Sequence, residues 1–537
     1  MFVGLFLIRA LDVMCTEDPV RVLELDNEPP PASIAPIIRS TLLVAKKPFI
    51  VLLTSRELTW FAENEKRRNV QLSLQDVIAV RTTADGNWRQ SRADSSEFSV
   101  FSFRRKSRGK WTLKQFTFEC QSNHLCAEWI QNLKRVLAGM RQRPRILKVF
   151  INPFGGKKRA VQIYEKDVRP LWELAGILLD ETVTQSGDHA PDIIREMDLR
   201  KYDGLICVGG DGLFSQVMNS LLTRTQLEAG VDQSRPRFIP ARPRIKLGII
   251  PAGSTNAICY STTGTVDPGT CALRIAIGDS RGVDVFSAEH RDKVLCFGMS
   301  ASYGFLGDVL VESEKHRWMG PRRYDYAGMR RFFRLKSYGC EVMYVKSSDT
   351  VGSPKDAVKC RTGCTVCDEE IDGPSPAEAP PKGAMARAGD NEVMTEPSDW
   401  QSLSGEFCGV IGVTISASCS RSPHGVSPSA HLGDGCIDIS LVKKCSRFDF
   451  LKLLFKISRT GNHLNLPFVE THRVQEFKLR PLDKNETDAA EGKNLVQRRT
   501  TNSSTWNVDG EIMEEAEVQI RVHRQLITLF SRGIEEK

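Results

Sequence analysis

The sequence predicts a three-part architecture: a small β domain closed by one helix, a layered α/β domain, and a second, mostly antiparallel β-rich domain. Three observations predict it. Short β-type runs over 33–140 end in a single amphipathic helix, strand and helix signals alternate over 145–278, and β-type runs return over 279–535. A chain of 537 residues exceeds what one compact core usually needs. With 41% hydrophobic and 26% charged residues it has the composition of a globular protein, which argues against global disorder or a multi-span membrane protein. The formal net charge of +8 suits an anionic membrane surface or an anionic small substrate, and nucleic acid is not expected as a partner.

Residues 1–32 read as an N-terminal extension. Its apolar start, Phe2-Val3-Gly4-Leu5-Phe6-Leu7-Ile8, is too short to span a bilayer and lacks a basic region and a small-residue cleavage site. Phe2 stands where a myristoylated chain carries glycine. These features predict a cytoplasmic chain whose membrane contact is peripheral. The cysteines number 15, an odd count in a large chain, and point to reduced thiols rather than a disulfide framework.

In the first domain the strand candidates are Phe49 to Leu53, Val77 to Val80, Phe98 to Phe103 and Gln115 to Phe118. The helix that follows sets Leu125, Trp129, Leu133 and Val136 on one face. Many strands capped by one Trp-bearing helix resemble a pleckstrin-homology domain. The run Arg104-Arg105-Lys106-Ser107-Arg108-Gly109-Lys110 suits acidic lipid headgroups or is a solvated hairpin loop; both readings stay open.

After Arg143-Pro144-Arg145 the texture changes. Leu147 to Ile151, Gly204 to Val208 and Lys246 to Ile250 read as buried strands, the first followed by a helix through Tyr164. This alternation predicts a largely parallel sheet with ligands beyond its carboxyl edge. From Asp279 onward, strands are expected at Val294 to Ser302, Cys340 to Val345, Gly409 to Ala417, Ile437 to Val442 and Ala516 to Val522. Two stretches interrupt them: 368–399, rich in proline and acidic residues, and 484–504, polar throughout. Both are expected to be disordered insertions.

The strongest chemical signal is Cys207-Val208-Gly209-Gly210-Asp211-Gly212-Leu213-Phe214-Ser215, a strand running through three glycines and an aspartate into a helix. Glycines allow the backbone to approach a ligand, and helix-start amides favour phosphate. An aspartate there would repel phosphate unless it binds a cation or takes a proton, which suggests a base or a magnesium-linked group. Two further β-to-α turns, Asn152-Pro153-Phe154-Gly155-Gly156-Lys157 and Pro251-Ala252-Gly253-Ser254-Thr255-Asn256, would open on the same sheet edge. A nucleotide site explains all three. No Walker sequence, GxGxxG fingerprint or protein-kinase HRD and DFG element is present.

Taken in order, the Asn-Pro, Gly-Gly-Asp-Gly and Pro-Ala-Gly-Ser turns resemble those of the diacylglycerol kinase superfamily. Within it, the pleckstrin-homology-like region and the spacing of Cys360, Cys364 and Cys367 resemble the ceramide kinase branch. The resemblance implies an α/β nucleotide-binding domain, a β-sandwich, and an active site between them. It implies an ATP-dependent lipid kinase, using Mg²⁺, that phosphorylates the primary hydroxyl of ceramide.

Carried over residue by residue, the resemblance makes Asp211 the catalytic base and places Gly209, Gly210, Asp211, Gly212 and Asp308 against the lipid. It assigns ATP to Asn152, Pro153, Phe154, Thr184, Gln185, Ser186, Gly187, Asp188, Gln216, Ser254, Arg317, Arg323, Asp509, Gly510 and Glu511. Gln216 departs from the family's usual glutamate: an amide can bond ribose, while a charge or metal role is placed in doubt.

The cysteine triplet supplies three ligands where a structural zinc wants four, so a zinc site with a distant fourth ligand and redox-sensitive or structural thiols both stay open. The basic, aromatic segment 443–459 reads as a calmodulin target, with Ca²⁺ stimulation, or as a packed surface helix. Expected partners are ceramide, ATP, anionic membrane lipids through the N-terminal domain, and calmodulin; the expected address is the Golgi or plasma membrane. A sphingosine or diacylglycerol kinase is the nearer alternative, and a catalytically silent lipid-binding scaffold the more distant one.

Overall fold

The computed structural model of the protein describes residues 35–62, 70–82, 96–106, 109–320, 322–347, 352–368, 399–482 and 503–535. The expected extension 1–32, Ser107 and Arg108 of the basic run, and all but the edges of the expected insertions lie outside the described residues.

The first domain is a seven-stranded antiparallel sheet, and the helix Asn123–Ala138 closes it. Ser122 starts that helix by accepting the amide of Leu125 at 3.2 Å. Trp129 and Leu133 are fully buried beside Phe98 and Phe118, whose rings stack 5.1 Å apart. Cys126 and Ile130 join them in the core, and the expected Leu125 and Val136 lie partly buried at its margin. The strand Glu97–Arg105 is buried on both faces. Phe98 and Val100 point into the domain, while Phe101 and Phe103 pack on Leu273 and Ile277 of the α/β domain.

That second contact redirects the basic run. Arg105 pairs with Asp76 at 3.7 Å and Glu535 at 3.3 Å, and Lys110 with Asp267 at 2.9 Å. Arg105 and Lys110, though exposed like Arg104 and Lys106, thus serve an interface inside the molecule. Trp111 is the centre of the interface. Its backbone amide bonds Thr270 at 2.9 Å, its indole donates to Glu535 at 2.9 Å, and the buried Arg274 guanidinium lies 4.9 Å from its ring.

The α/β domain has four parallel strands in the order Leu178–Val183, Ile146–Ile151, Gly204–Gly209 and Lys246–Pro251. The edge strand Leu178–Val183 was not anticipated, because its exposed pattern carries little apolar signal. The helix after the first strand stops at Ile163, and a wide turn, Tyr164–Val168, leads into a second helix, Arg169–Ala175. Pro170 opens that second helix, where its missing N–H costs nothing.

The β-rich domain is antiparallel, and its core joins Phe286, Tyr303, Tyr338, Phe407, Phe477 and Trp506. The two catalytic domains share one continuous sheet: the strand Val518–Leu529 runs from the β-rich core to Lys246–Pro251, which it meets in parallel at Leu247 and Leu529. The stretch expected as one strand, 294–302, is divided into Lys293–Gly298 and Ser300–Gly304. The break at Met299 turns the amides of Met299 and Ser300 to Asp509. The strand Gln401–Val413 stops before the expected end at Ala417: the amide of Thr414 makes one last bond in register, to the carbonyl of Met299 at 2.9 Å, and Ala417 itself adopts φ 48°.

Candidate active site

Three parallel strands end level with one another, so three turns open on one sheet edge. Asn152 continues the first by donating its amide to Val208 at 3.0 Å, and its side chain accepts the amides of Phe154 at 2.9 Å and Gly155 at 3.2 Å. The amides of Ala252 and Gly253 reach Gly209 O at 2.8 and 3.1 Å. Close approach explains the glycines here. A Cβ on Gly253 would stand 2.4 Å from Gly210 Cα, and one on Gly156 would stand 2.7 Å from Ala252 O.

Asp211 begins the helix Asp211–Glu228 and reaches across to the next turn. One carboxylate oxygen accepts the amide of Ala257 at 3.0 Å and the other that of Ile258 at 2.9 Å. The carboxylate therefore charges the start of the helix Ala257–Thr263 while each oxygen retains a second lone pair. Burial pushes the Asp211 carboxyl up, and the amides of Ile258 and Ala257 oppose that rise. Asn256 holds the turn, adopting φ 52° and accepting the amide of Gly253 at 2.8 Å.

The fourth side comes from the β-rich domain. Asp509, Gly510 and Glu511 turn between the strands Trp506–Val508 and Glu511–Met513. The Asp509 carboxylate is buried and accepts three hydrogen bonds: from Met299 N at 2.9 Å, and from Ser300 N and Ser300 Oγ, each at 2.8 Å. Burial pushes its carboxyl up to about 6, with the Asp211 charge adding to the rise against those bonds. Asp509 is thus a positioning group with its oxygens already engaged. Glu511 is the freer carboxylate: its Oε1 lies 3.8 Å from where a Cβ on Gly212 would stand. Desolvation and Glu314 push its carboxyl up, while Arg317 pulls it down.

Both arginines converge on Glu314. Arg317 Nε meets one oxygen at 2.5 Å and Arg323 Nη2 the other at 3.0 Å. Arg317 is exposed, and Arg323 is half-buried with its guanidinium 4.8 Å from the Tyr324 ring. The loop 184–188 lies beside the helix Asp211–Glu228, with a Cβ on Gly187 placed 3.5 Å from Gln216 Nε2. Thr184 is buried and bonded to Ile151 O, whereas Gln185, Ser186 and Asp188 are exposed. Ser254 and Phe154 are exposed at the rim, with Pro153 partly buried.

Asp308 belongs to a separate polar knot. It accepts from Tyr338 Oη at 2.5 Å and Ser504 Oγ at 2.8 Å, and the Ser504 amide donates to Tyr303 Oη at 2.8 Å. Ser504 was expected inside a disordered insertion, yet it is buried, with its amide and hydroxyl both partnered there. Sequence reading missed Asn256, Ser300 and Glu314. It also missed Asn219, whose amide bonds both Phe297 O at 2.9 Å and Phe297 N at 2.7 Å, fastening the helix to the β-rich domain. Asn256 closes the third glycine turn, which was its signal; Ser300, Glu314 and Asn219 lie in no Gly-rich motif, and for Glu314 the spacing to Arg317 was the available signal.

The cysteine triplet does acquire a fourth neighbour. The ligand atoms of Cys360, Cys364, Cys367 and His431 all lie within 4.8 Å of one another. No cysteine among the described residues forms a disulfide. The calmodulin-like segment forms the helix Arg447–Arg459, whose Phe450, Leu453, Leu454 and Ile457 pack with Phe305 and Val309; Phe448 and Phe455 are exposed. Among the described residues no helix is long and apolar enough to cross a membrane.

Three family models match the chain: ceramide kinase PH domain over 38–133, diacylglycerol kinase catalytic domain over 146–288, and ceramide kinase C-terminal domain over 376–537. Ceramide kinase of Homo sapiens is 39% identical over 486 residues, covering 86% of this chain and 89% of the relative. Ceramide kinase of Mus musculus is 38% identical, covering 86% of this chain and 90% of the relative. Ceramide kinase-like protein of Homo sapiens is 30% identical, covering 93% of this chain and 91% of the relative.

Proposed function

The chain belongs to the ceramide kinase family, and from that membership we propose that it transfers the γ-phosphate of ATP to the primary hydroxyl of ceramide, giving ceramide 1-phosphate. The observation that carries the chemistry is Asp211, a partly desolvated carboxylate at the meeting of three Gly-rich turns and the Asp509-Gly510-Glu511 loop.

Phosphoryl transfer depends on in-line positioning and charge neutralisation more than on covalent chemistry by the protein. Asp211 accepts the hydroxyl proton as the lipid oxygen bonds the γ-phosphorus and the bond to the ADP oxygen breaks. A raised carboxyl pKa brings the base closer to its working pH. The turns after the three strands and the loop 184–188 receive the nucleotide, Gln216 bonding ribose as an amide. Arg317 and Arg323 hold phosphate oxygens, exchanging Glu314 for them.

A divalent cation, Mg²⁺, fits the site. It is usually held by one or two carboxylates together with substrate phosphates, and Glu511 would supply one, leaving Asp211 to the proton. It would neutralise charge on the triphosphate. Asp308, tied to Tyr338 and Ser504, orients the wall on the lipid side.

The N-terminal domain supports peripheral attachment to anionic membrane, with Arg104 and Lys106 among the exposed cations of its hairpin. The Golgi or plasma membrane, Ca²⁺ stimulation and calmodulin are the finer parts of this proposal. For calmodulin the support is the basic helix Arg447–Arg459 with exposed Phe448 and Phe455, since its other apolar face is already packed.

The test is radiolabelled phosphate transfer from ATP·Mg²⁺ to ceramide, sphingosine and diacylglycerol in mixed micelles, wild type beside Asp211→Asn. Selective labelling of ceramide that depends on Asp211 is the expected result. Labelling of another lipid overturns the substrate, and lipid binding without any turnover turns the assignment to a scaffold.

A further inference from the structure

The three cysteines sit on a loop that leaves the β-rich domain between the strands Tyr338–Lys346 and Gln401–Val413, and His431 sits on the loop before Ile437–Lys443. The loops bring four soft ligands together from distant parts of the chain. Cys360 Sγ stands 3.6 Å from Cys367 Sγ, and Cys364 Sγ stands 3.2 Å from His431 Nδ1. Cys360, Cys367 and His431 are buried, and Cys364 is partly so.

These distances discriminate between chemistries. A disulfide would hold two sulfurs at about 2.05 Å. Ligands about 2.3 Å from a tetrahedral zinc place sulfurs about 3.8 Å apart, close to the separation of Cys360 and Cys367. The donor set, three cysteines and one histidine, is one that closed structural zinc sites use, and no coordination position is left for a reacting molecule. The local fold is shaped for it. Gly363 adopts φ +69°, reversing the chain between Cys360 and Cys364, and the amides of Cys367 and Asp368 return to Cys364 O at 3.1 and 3.0 Å. Gln525 ties the two ligand-bearing loops together, its side-chain amide donating to Cys367 O at 2.8 Å and Gly433 O at 3.2 Å.

We propose that Cys360, Cys364, Cys367 and His431 bind one structural zinc ion that pins the loop 352–368 to the catalytic core. Binding replaces three thiol protons with Zn²⁺ and takes neutral His431, leaving one net negative charge. Arg281 lies beside it, meeting Arg361 O at 3.4 Å and Asp368 at 3.5 Å. The pinned loop in turn holds the C-terminal tail. The amide of Thr362 donates to Ile534 O at 3.1 Å, and the next residue, Glu535, is the acceptor of Trp111, Arg274 and Arg105. The zinc thus stabilises the seam between the first domain and the kinase domains.

The test is elemental analysis of the full chain, purified without chelator, with thiol counting under denaturing conditions. About one zinc per chain is expected, as a closed four-ligand site requires, lost in His431→Ala and retained in His431→Cys, which restores four ligands. Metal-free wild type overturns the site, as does a Cys360–Cys367 disulfide. Zinc retained in His431→Ala as firmly as in wild type overturns the fourth ligand. On chelation, limited proteolysis of wild type should newly cut within 352–368; an unchanged digest overturns the pinning role.

Discussion

Asp211 Oδ1 accepts the backbone amide of Ile258 at 2.9 Å, so the proposed catalytic carboxylate also caps the turn that follows the neighbouring strand. Its removal has two separable consequences. Asp211→Ala should lower turnover by about 10²–10⁴-fold, the usual contribution of a general base. It should also cost about 1 kcal/mol of stability through the lost cap. Rate and melting temperature measured on the same preparation distinguish the two; full activity in the variant would exclude the base.

Glu314 occupies both arginines assigned to phosphate, and Arg323 is the more enclosed of the two. A charge-assisted contact is worth about 1.5–3 kcal/mol, so Arg323→Ala should raise the KM for ATP by about 10-fold to 100-fold. Arg317→Ala should have the smaller effect. Steady-state kinetics against ATP decide this, and an unchanged KM would remove Arg323 from the nucleotide site.

Burial raises the Asp509 carboxyl from 3.8 to about 6. Below 3.8 the folded and unfolded chains both hold this proton. Between 3.8 and about 6 only the folded chain holds it, so this group's contribution to stability declines as pH rises through that window and is constant above it. The difference amounts to about 3 kcal/mol. The melting temperature of wild type relative to Asp509→Asn should therefore fall between pH 4 and 6; a pH-independent difference would contradict the burial of a charged Asp509.

Trp111 fills the seam between the first domain and the α/β domain, at 2% exposure. Truncating a buried tryptophan costs about 3–5 kcal/mol. In Trp111→Ala, calorimetry should show the 38–138 unit melting in an earlier, separate transition. A single unshifted transition would mean the seam contributes little.

Arg104 is exposed, whereas its neighbour Arg105 is engaged with Asp76 and Glu535. Arg104→Glu should weaken binding to anionic vesicles by at least about fivefold, from about 1 kcal/mol per basic residue near the surface, without lowering the melting temperature. Arg105→Glu should lower the melting temperature as well. Equal vesicle binding by wild type and Arg104→Glu would clear the hairpin of a membrane role.

The three-part fold class was legible because strand and helix periodicities survive in the sequence. Gly209-Gly210-Asp211-Gly212 was legible because close backbone approach demands glycine, and the structure supplies the reason at Gly253 and Gly156. What the sequence concealed are relations between distant residues of unremarkable type. Ser300 and Met299 hold Asp509 only because the strand Ser300–Gly304 pairs antiparallel with Trp506–Val508, segments far apart in the chain. Arg105 pairs with Asp76 and Glu535 at the rim of the seam because Phe101 and Phe103 bury the same face of their strand on Leu273 and Ile277. His431 joins three cysteines across 64 positions or more because two loops meet over a shared core. Local pattern determined the elements and the glycine turns, since propensity and backbone sterics act over a few residues. Which carboxylates are buried, which cations are paired and where a fourth ligand comes from were decided by tertiary packing, which depends on contacts that no local window contains.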